Sequence, residues 1–185
     1  MRVTGGTFKG QHIKTSRTRV YRPTQDKVRA AIFNHLGDFV QGASVLDLYC
    51  GTGALGIDAL SRGAEHAVFC DKFLPSVKIT RNNLDTIVSS PDKYNVFRSD
   101  ALNLCSKLTE KHKKYDLIFV DPPYSSGLYQ EILVILGSIG IVADKGIVVV
   151  EHSKKYDLPA EIGKLEIYTQ KTYGDTMISY YTMES

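Results

Sequence analysis

Between residues 44 and 152 short strand-forming runs alternate with amphipathic stretches, and this alternation constrains the fold more than any other feature. SVLDLY (44–49), AVFCD (67–71), YNVFRSD (94–100), YDLIFVD (115–121) and GIVVVEH (146–152) read as strands. Residues 54–62, 74–88, 101–112 and 127–139 read as the helices between them, and Val77, Leu84 and Ile87 repeat at helical spacing. Apolar strands separated by helices argue for a parallel sheet covered on both faces. The alternation then breaks. KLEIYTQKTY (164–173) and TMISYYTM (176–183) are strand-like and joined by Gly174-Asp175, so the sheet is expected to end in an antiparallel pair. Before it, residues 1–20 carry Gly5-Gly6 and Gly10 between β-prone pieces, which predicts a small hairpin or an extended arm. A helix is expected from Gln25 to Leu36 with Val28, Ala31, Ile32 and Leu36 on one face.

A chain of 185 residues fits one domain, residues 1–185, with a sizeable core. No apolar stretch approaches the roughly 18 residues that span a bilayer, and MRVTGGTFKG lacks the apolar core of a secretory signal, so a cytoplasmic protein is expected. Cys50, Cys70 and Cys105 form no CxxC pair and show no metal-ligand spacing; they read as small buried hydrophobes, and no metal is expected. Charge is unevenly placed. Residues 1–29 hold eight of the 23 lysines and arginines but one of the 20 acids, whereas the remainder is mildly acidic. A basic segment on an acidic body fits a polyanion bound on one side, or simply a solvated face.

VLDLYCGTGALG (45–56) puts Gly51, Gly53 and Gly56 in a GxGxxG pattern between a strand and a helix. Small residues there let a ligand approach the backbone, and the helix N-terminus favours a negative group. A tight turn with close helix packing needs the same glycines. Asp71 closes the second strand, where an acid accepts hydrogen bonds from both ribose hydroxyls. These features serve a nicotinamide dinucleotide as well as any other adenosine cofactor. Asp47 discriminates more. A pyrophosphate would be repelled by a carboxylate beside the loop, whereas an ammonium or sulfonium would be attracted, and S-adenosylmethionine carries both. Asp100, followed by Ala101, is placed to accept from an adenine amino group or to cap the next helix, roles that are compatible.

In FVDPPYSS (119–126) an apolar strand stops on Asp121 against two prolines and a tyrosine. Prolines lack an N–H and fix φ, so Pro122 and Pro123 lie outside the ladder and stiffen the loop. Asp121 and the Pro122 carbonyl are placed to accept from an exocyclic amine, and Tyr124 to stack on a flipped base. Two acceptors draw the amine lone pair out of conjugation toward an attacking geometry, and positioning does the rest. The plainer reading is an acid capping a stiff loop.

VLDLYCGTG, Asp71, SDA (99–101) and DPPY (121–124) resemble successive motifs of class I methyltransferases acting on base amines. With RVTGGTFKG (2–10), RPTQDKVR (22–29), GALGIDALSRGA (53–64) and YGDTMISYY (173–181), nearly the whole chain resembles the RsmD family of small-subunit ribosomal RNA guanine-N2 methyltransferases. The resemblance implies a Rossmann-like α/β fold with a seven-stranded, mostly parallel sheet and the hairpin inserted last. It implies an S-adenosylmethionine site at Asp47, Tyr49, Gly51, Thr52, Gly53, Asp71, Lys72, Asp100 and Ala101. Asp121, Pro122, Pro123 and Tyr124 would hold the guanine. Residues 1–37 would form an RNA-contacting extension through Arg2, Lys9, Arg17, Arg19, Arg22, Thr24 and Arg29, on RNA assembled in a ribosomal particle and with a monomeric enzyme. Asp26 is expected to stabilise the helix start.

DPPY is shared with adenine-N6 methyltransferases of RNA or DNA, which remain the alternative. A dinucleotide oxidoreductase accounts for GxGxxG and Asp71 but not for DPPY or the basic arm. A binding module without activity would not need Asp47, Asp71 and Asp121 together. Among the histidines only His152 is placed near the sheet edge, and none is required as a general base.

Overall fold

A computed structural model describes residues 1–15, 23–122 and 126–183. Helix α1 (Pro23–Leu36) and a short 3-10 turn lead into β1 (Ser44–Leu48). There follow α2 (Ala54–Ser61), β2 (His66–Asp71), α3 (Leu74–Ile87), β3 (Tyr94–Arg98), α4 (Ala101–Glu110), β4 (Tyr115–Val120) and α5 (Ser126–Ser138). The chain ends in β5 (Val142–Ser153), β6 (Glu161–Ile162), β7 (Leu165–Tyr173) and β8 (Thr176–Met183). They form one sheet in the order β3-β2-β1-β4-β5-β8-β7-β6. The first five strands are parallel; β8 inserts antiparallel between β5 and β7, as expected for the hairpin.

The sheet has eight strands rather than seven. The extra one, β6, is two residues that turn back on Leu165 and Glu166, too short to leave an alternating pattern in sequence. Strand β5 also starts earlier than residue 146, because a register irregularity against β4 lets Val142 pair with Tyr115 before Ile147 pairs with Leu117.

Strand parity sorts the side chains into two cores. Val45, Leu117, Phe119 and Val149 pack with α1, α2 and α3, whereas Leu46, Leu48, Ile118, Val120, Val148 and Val150 pack with α4 and α5. The order β2-β1-β4 reverses direction at β1, so the carboxyl ends of β1 and β4 flank the crevice where open α/β sheets bind ligands. No helix among the described residues is long and apolar enough to cross a membrane.

The N-terminal arm is a hairpin, bridged at Arg2 and His12, that lies on α2. Helix α2 is buried almost throughout, including Asp58 and Ser61, and buried polar groups need partners. The arm supplies them. Asp58 accepts from the Thr4 amide and hydroxyl, each at 2.8 Å, and Ser61 Oγ donates to the Gly5 carbonyl at 2.6 Å. Val3 and Ile13 are buried in the same core.

Candidate active site

The glycine loop is clamped through its backbone. The Gly51 amide donates to Asp71 Oδ2 at 3.1 Å, and Thr80 on α3 donates to the Gly51 carbonyl at 3.0 Å. Asn83 Nδ2 donates to the carbonyls of Thr52 at 2.9 Å and Lys14 at 3.0 Å, tying loop, α3 and arm together. Gly53 takes a left-handed φ of 78° at the start of α2, a conformation costly to most other residues. Gly56 has a packing reason instead: a Cβ there would lie 2.3 Å from the Phe69 ring. Gly53 and Gly56 thus each have a reason in the turn and its packing, the plainer reading of the glycine pattern.

Beside the loop opens a cavity of about 340 Å³, within the range of small-molecule sites. Tyr49, Gly51, Thr52, Leu55, Phe73 and Ile79 line it beside the glycine loop and α3. Gln25, Arg29, Ile32, Asp121 and Glu151 line the other side. A much smaller cleft is lined by Asp71, Lys72, Ser99, Asp100 and Ala101, and Tyr49 walls both spaces. The expected cofactor residues are thus brought to one edge but split by Tyr49, which itself adopts a φ of 61°.

Asp47 is 2% exposed, and its Oδ2 accepts from the Gly56 amide at 3.0 Å. Burial pushes its carboxyl up to about 7 from 3.8 against that hydrogen bond, with Asp121 and Asp71 adding repulsion. A buried acid among acids is the arrangement a cationic ligand relieves, which fits the ammonium and sulfonium of S-adenosylmethionine. Asp71 accepts from Gly51 and, at 2.9 Å, from the Phe73 amide. A carboxylate has about four lone-pair sites, so it retains capacity for ribose hydroxyls. Asp100 does cap α4, accepting from the Leu102 amide at 3.0 Å, at the lip of the small cleft.

Asp121 follows β4 and faces the cavity, and Pro122 is buried behind it. Pro123 and Tyr124 lie outside the described residues, as do Arg17, Arg19, Arg22 and the side chain of Thr24. Arg2 and Lys9 are exposed on the arm. Arg29 departs from expectation. It is 4% exposed, bonds the Arg2 carbonyl, and pairs with Asp58 and with Asp26, the latter at 2.7 Å. Its charge is neutralised inside the fold, where Asp58 would otherwise be an uncompensated buried acid, so it is no surface contact. Asp26, in the first turn of α1, pairs with Arg29 within that helix.

Three site residues carry weaker sequence signals. Thr80 and Asn83 are buried polar residues on the apolar stripe of α3, in step with Val77, Leu84 and Ile87, and that position is their signal. Glu151 is easily missed beside its neighbour His152. Parity decides between them: residue 151 shares the face of Phe119 and Val149 and lines the cavity. His152 turns the other way, buried against Tyr129, with Nε2 2.8 Å from Ser179 Oγ. Burial lowers its pKa, so it stays neutral.

The profile of the family described as "Conserved hypothetical protein 95" matches residues 1–182. The chain is 34% identical to "Putative rRNA methyltransferase YlbH" of Bacillus subtilis, over 98% of each chain. It is 30% identical to "Ribosomal RNA small subunit methyltransferase D" of Escherichia coli K12, over 100% of this chain and 91% of that one. The chain belongs to the RsmD family of methyltransferases. Its fold agrees: the solved structure titled "Putative methyltransferase yhhF from Escherichia coli" superposes with a TM-score of 0.87 at 27% identity, covering 100% of this chain and 98% of that one.

Proposed function

We propose that this RsmD-family chain transfers the methyl group of S-adenosylmethionine to the exocyclic N2 amine of a guanine in small-subunit ribosomal RNA. The observation that carries the reading is the meeting of Asp47, Asp121 and the glycine loop in one cavity. S-adenosylmethionine, when bound there, would supply an electrophilic methyl group on a sulfonium leaving group. The chain's own work is placement. Asp47 attracts the cofactor's positive end, and Asp71 in the adjoining cleft is positioned for the ribose. Asp121 and the Pro122 carbonyl accept from the amine, and the proton lost after transfer goes to Asp121 or solvent. Tyr124 stacks on the base, and Asp100 and Ala101 border the adenine.

The RNA is held by the exposed cations Arg2 and Lys9 together with Arg17, Arg19, Arg22 and Thr24. Residues 1–37 act as the RNA-contacting extension of a single methyltransferase domain. Lys72 before α3 and Lys78 and Arg81 on it add cations to this side, against the one acid of that helix, Asp85. The enzyme works in the cytoplasm as a monomer, on RNA in an assembled or assembling subunit.

The test is mass spectrometry of nucleosides after incubating the protein and S-adenosylmethionine with under-methylated small subunits. N2-methylguanosine is the expected product; N6-methyladenosine in its place would contradict the base assignment.

A further inference from the structure

The cavity holds one acid more than methyl transfer to an amine requires. Val120, the last residue of β4, pairs with Val150 of β5, so Asp121, just past β4, and Glu151, still within β5, follow on neighbouring parallel segments. Adjacent strands lie about 4.8 Å apart. Both residues have the parity of Phe119 and Val149, and both face the cavity across from the glycine loop, beside Gln25, Arg29 and Ile32. Two carboxylate acceptors on adjacent strands suit a ligand that presents donors on neighbouring atoms.

Guanine presents such a pair. Its N2 amine adjoins N1, which carries a hydrogen, so an amine placed at Asp121 brings a second donor toward the next strand. Adenine offers its N6 amine beside an N1 that is an acceptor, and a carboxylate there would face a lone pair. We infer that Glu151 is a specificity-determining residue that accepts the N1–H of the target guanine while Asp121 accepts from its N2 amine. The inference rests on the guanine-N2 reading and assigns the choice of base to a position outside the DPPY stretch. That division explains how one DPPY pocket can serve either base: the amine clamp is common to both, and the neighbouring strand end reads the ring edge.

The test uses small-subunit RNA assembled from ligated fragments, with guanine or 2-aminopurine at the methylated position. 2-Aminopurine keeps the reacting 2-amine, but its N1 is an acceptor. Wild type should prefer guanine in kcat/KM by at least ~10-fold, the scale of one well-made hydrogen bond to a base edge. Glu151→Gln can donate to the N1 of 2-aminopurine, so the preference should narrow by at least ~10-fold. Glu151→Ala, which neither accepts nor donates, should narrow it as well and serves if the Gln variant fails to fold. S-Adenosylmethionine affinity should stay within a few-fold of wild type in both. A wild-type preference near one, or an unchanged preference in a folded variant, overturns the inference while leaving N2-methylguanosine as product. Loss of that product in wild type would overturn the guanine reading itself.

Discussion

The two sides of the cavity are built by different means. On one side the glycine loop is held through its backbone, by Asp71, Thr80 and Asn83 on β2 and α3. On the other side the wall consists of side chains, Arg29, Asp121 and Glu151, contributed by α1, the position just after β4, and β5. A backbone clamp tolerates little change and suits a ligand that is always the same. Side chains from separate elements can be exchanged singly, and they suit the part of the site that selects a substrate.

This contrast can be broken at several points. The largest effect is expected at Asp58, which anchors Arg29 and the arm. Asp58→Ala removes the buried partner of Arg29, leaving it the partly exposed Asp26, and should cost about 3–5 kcal/mol, lowering Tm by about 2–4 °C for each kcal/mol in a chain of this size. An unchanged melting curve would show that the substrate wall is held by something else.

Asp47 sharpens the other side. Its folded pKa is raised to about 7, so the stability of the protonated form is full below 3.8 and is lost as pH rises toward 7. Asp47→Asn cannot ionise and should raise Tm relative to wild type at pH 8 while changing it little at pH 4. Wild-type affinity for S-adenosylmethionine should rise as pH increases to about 7 and then level. The Asn variant should lack that rise, and parallel pH profiles for the two proteins would remove Asp47 from cofactor binding.

The smallest effect is the most distributed. Replacing Lys9, Arg17 and Arg19 with Gln should weaken RNA binding and flatten its salt dependence, by ~0.7–0.9 in slope for each phosphate that is no longer neutralised. Filter binding across a salt series would read this, and an unchanged slope would take the arm out of RNA recognition.

Much of this architecture is legible in the sequence because it repeats. Five apolar strands, the helices between them and the hairpin at Gly174-Asp175 each leave a periodic or turn signature, and the glycine loop and DPPY mark the sheet edge. Single positions are harder. Glu151 and His152 are neighbours near the end of β5, and only the register with β4 shows which one enters the cavity. Arg29 stands in a basic segment, so its charge reads as surface until the buried Asp58 is in place. Strand β6 exists only because the chain turns back at Gly163, where φ is 61°.

The most direct test of the division is Asp121→Ala, read by calorimetry for S-adenosylmethionine and by single-turnover methyl transfer. The account predicts cofactor affinity near that of wild type and turnover lower by at least ~100-fold, the scale of removing one preorganised polar group. Equal collapse of both would make Asp121 part of the cofactor scaffold and contradict the account.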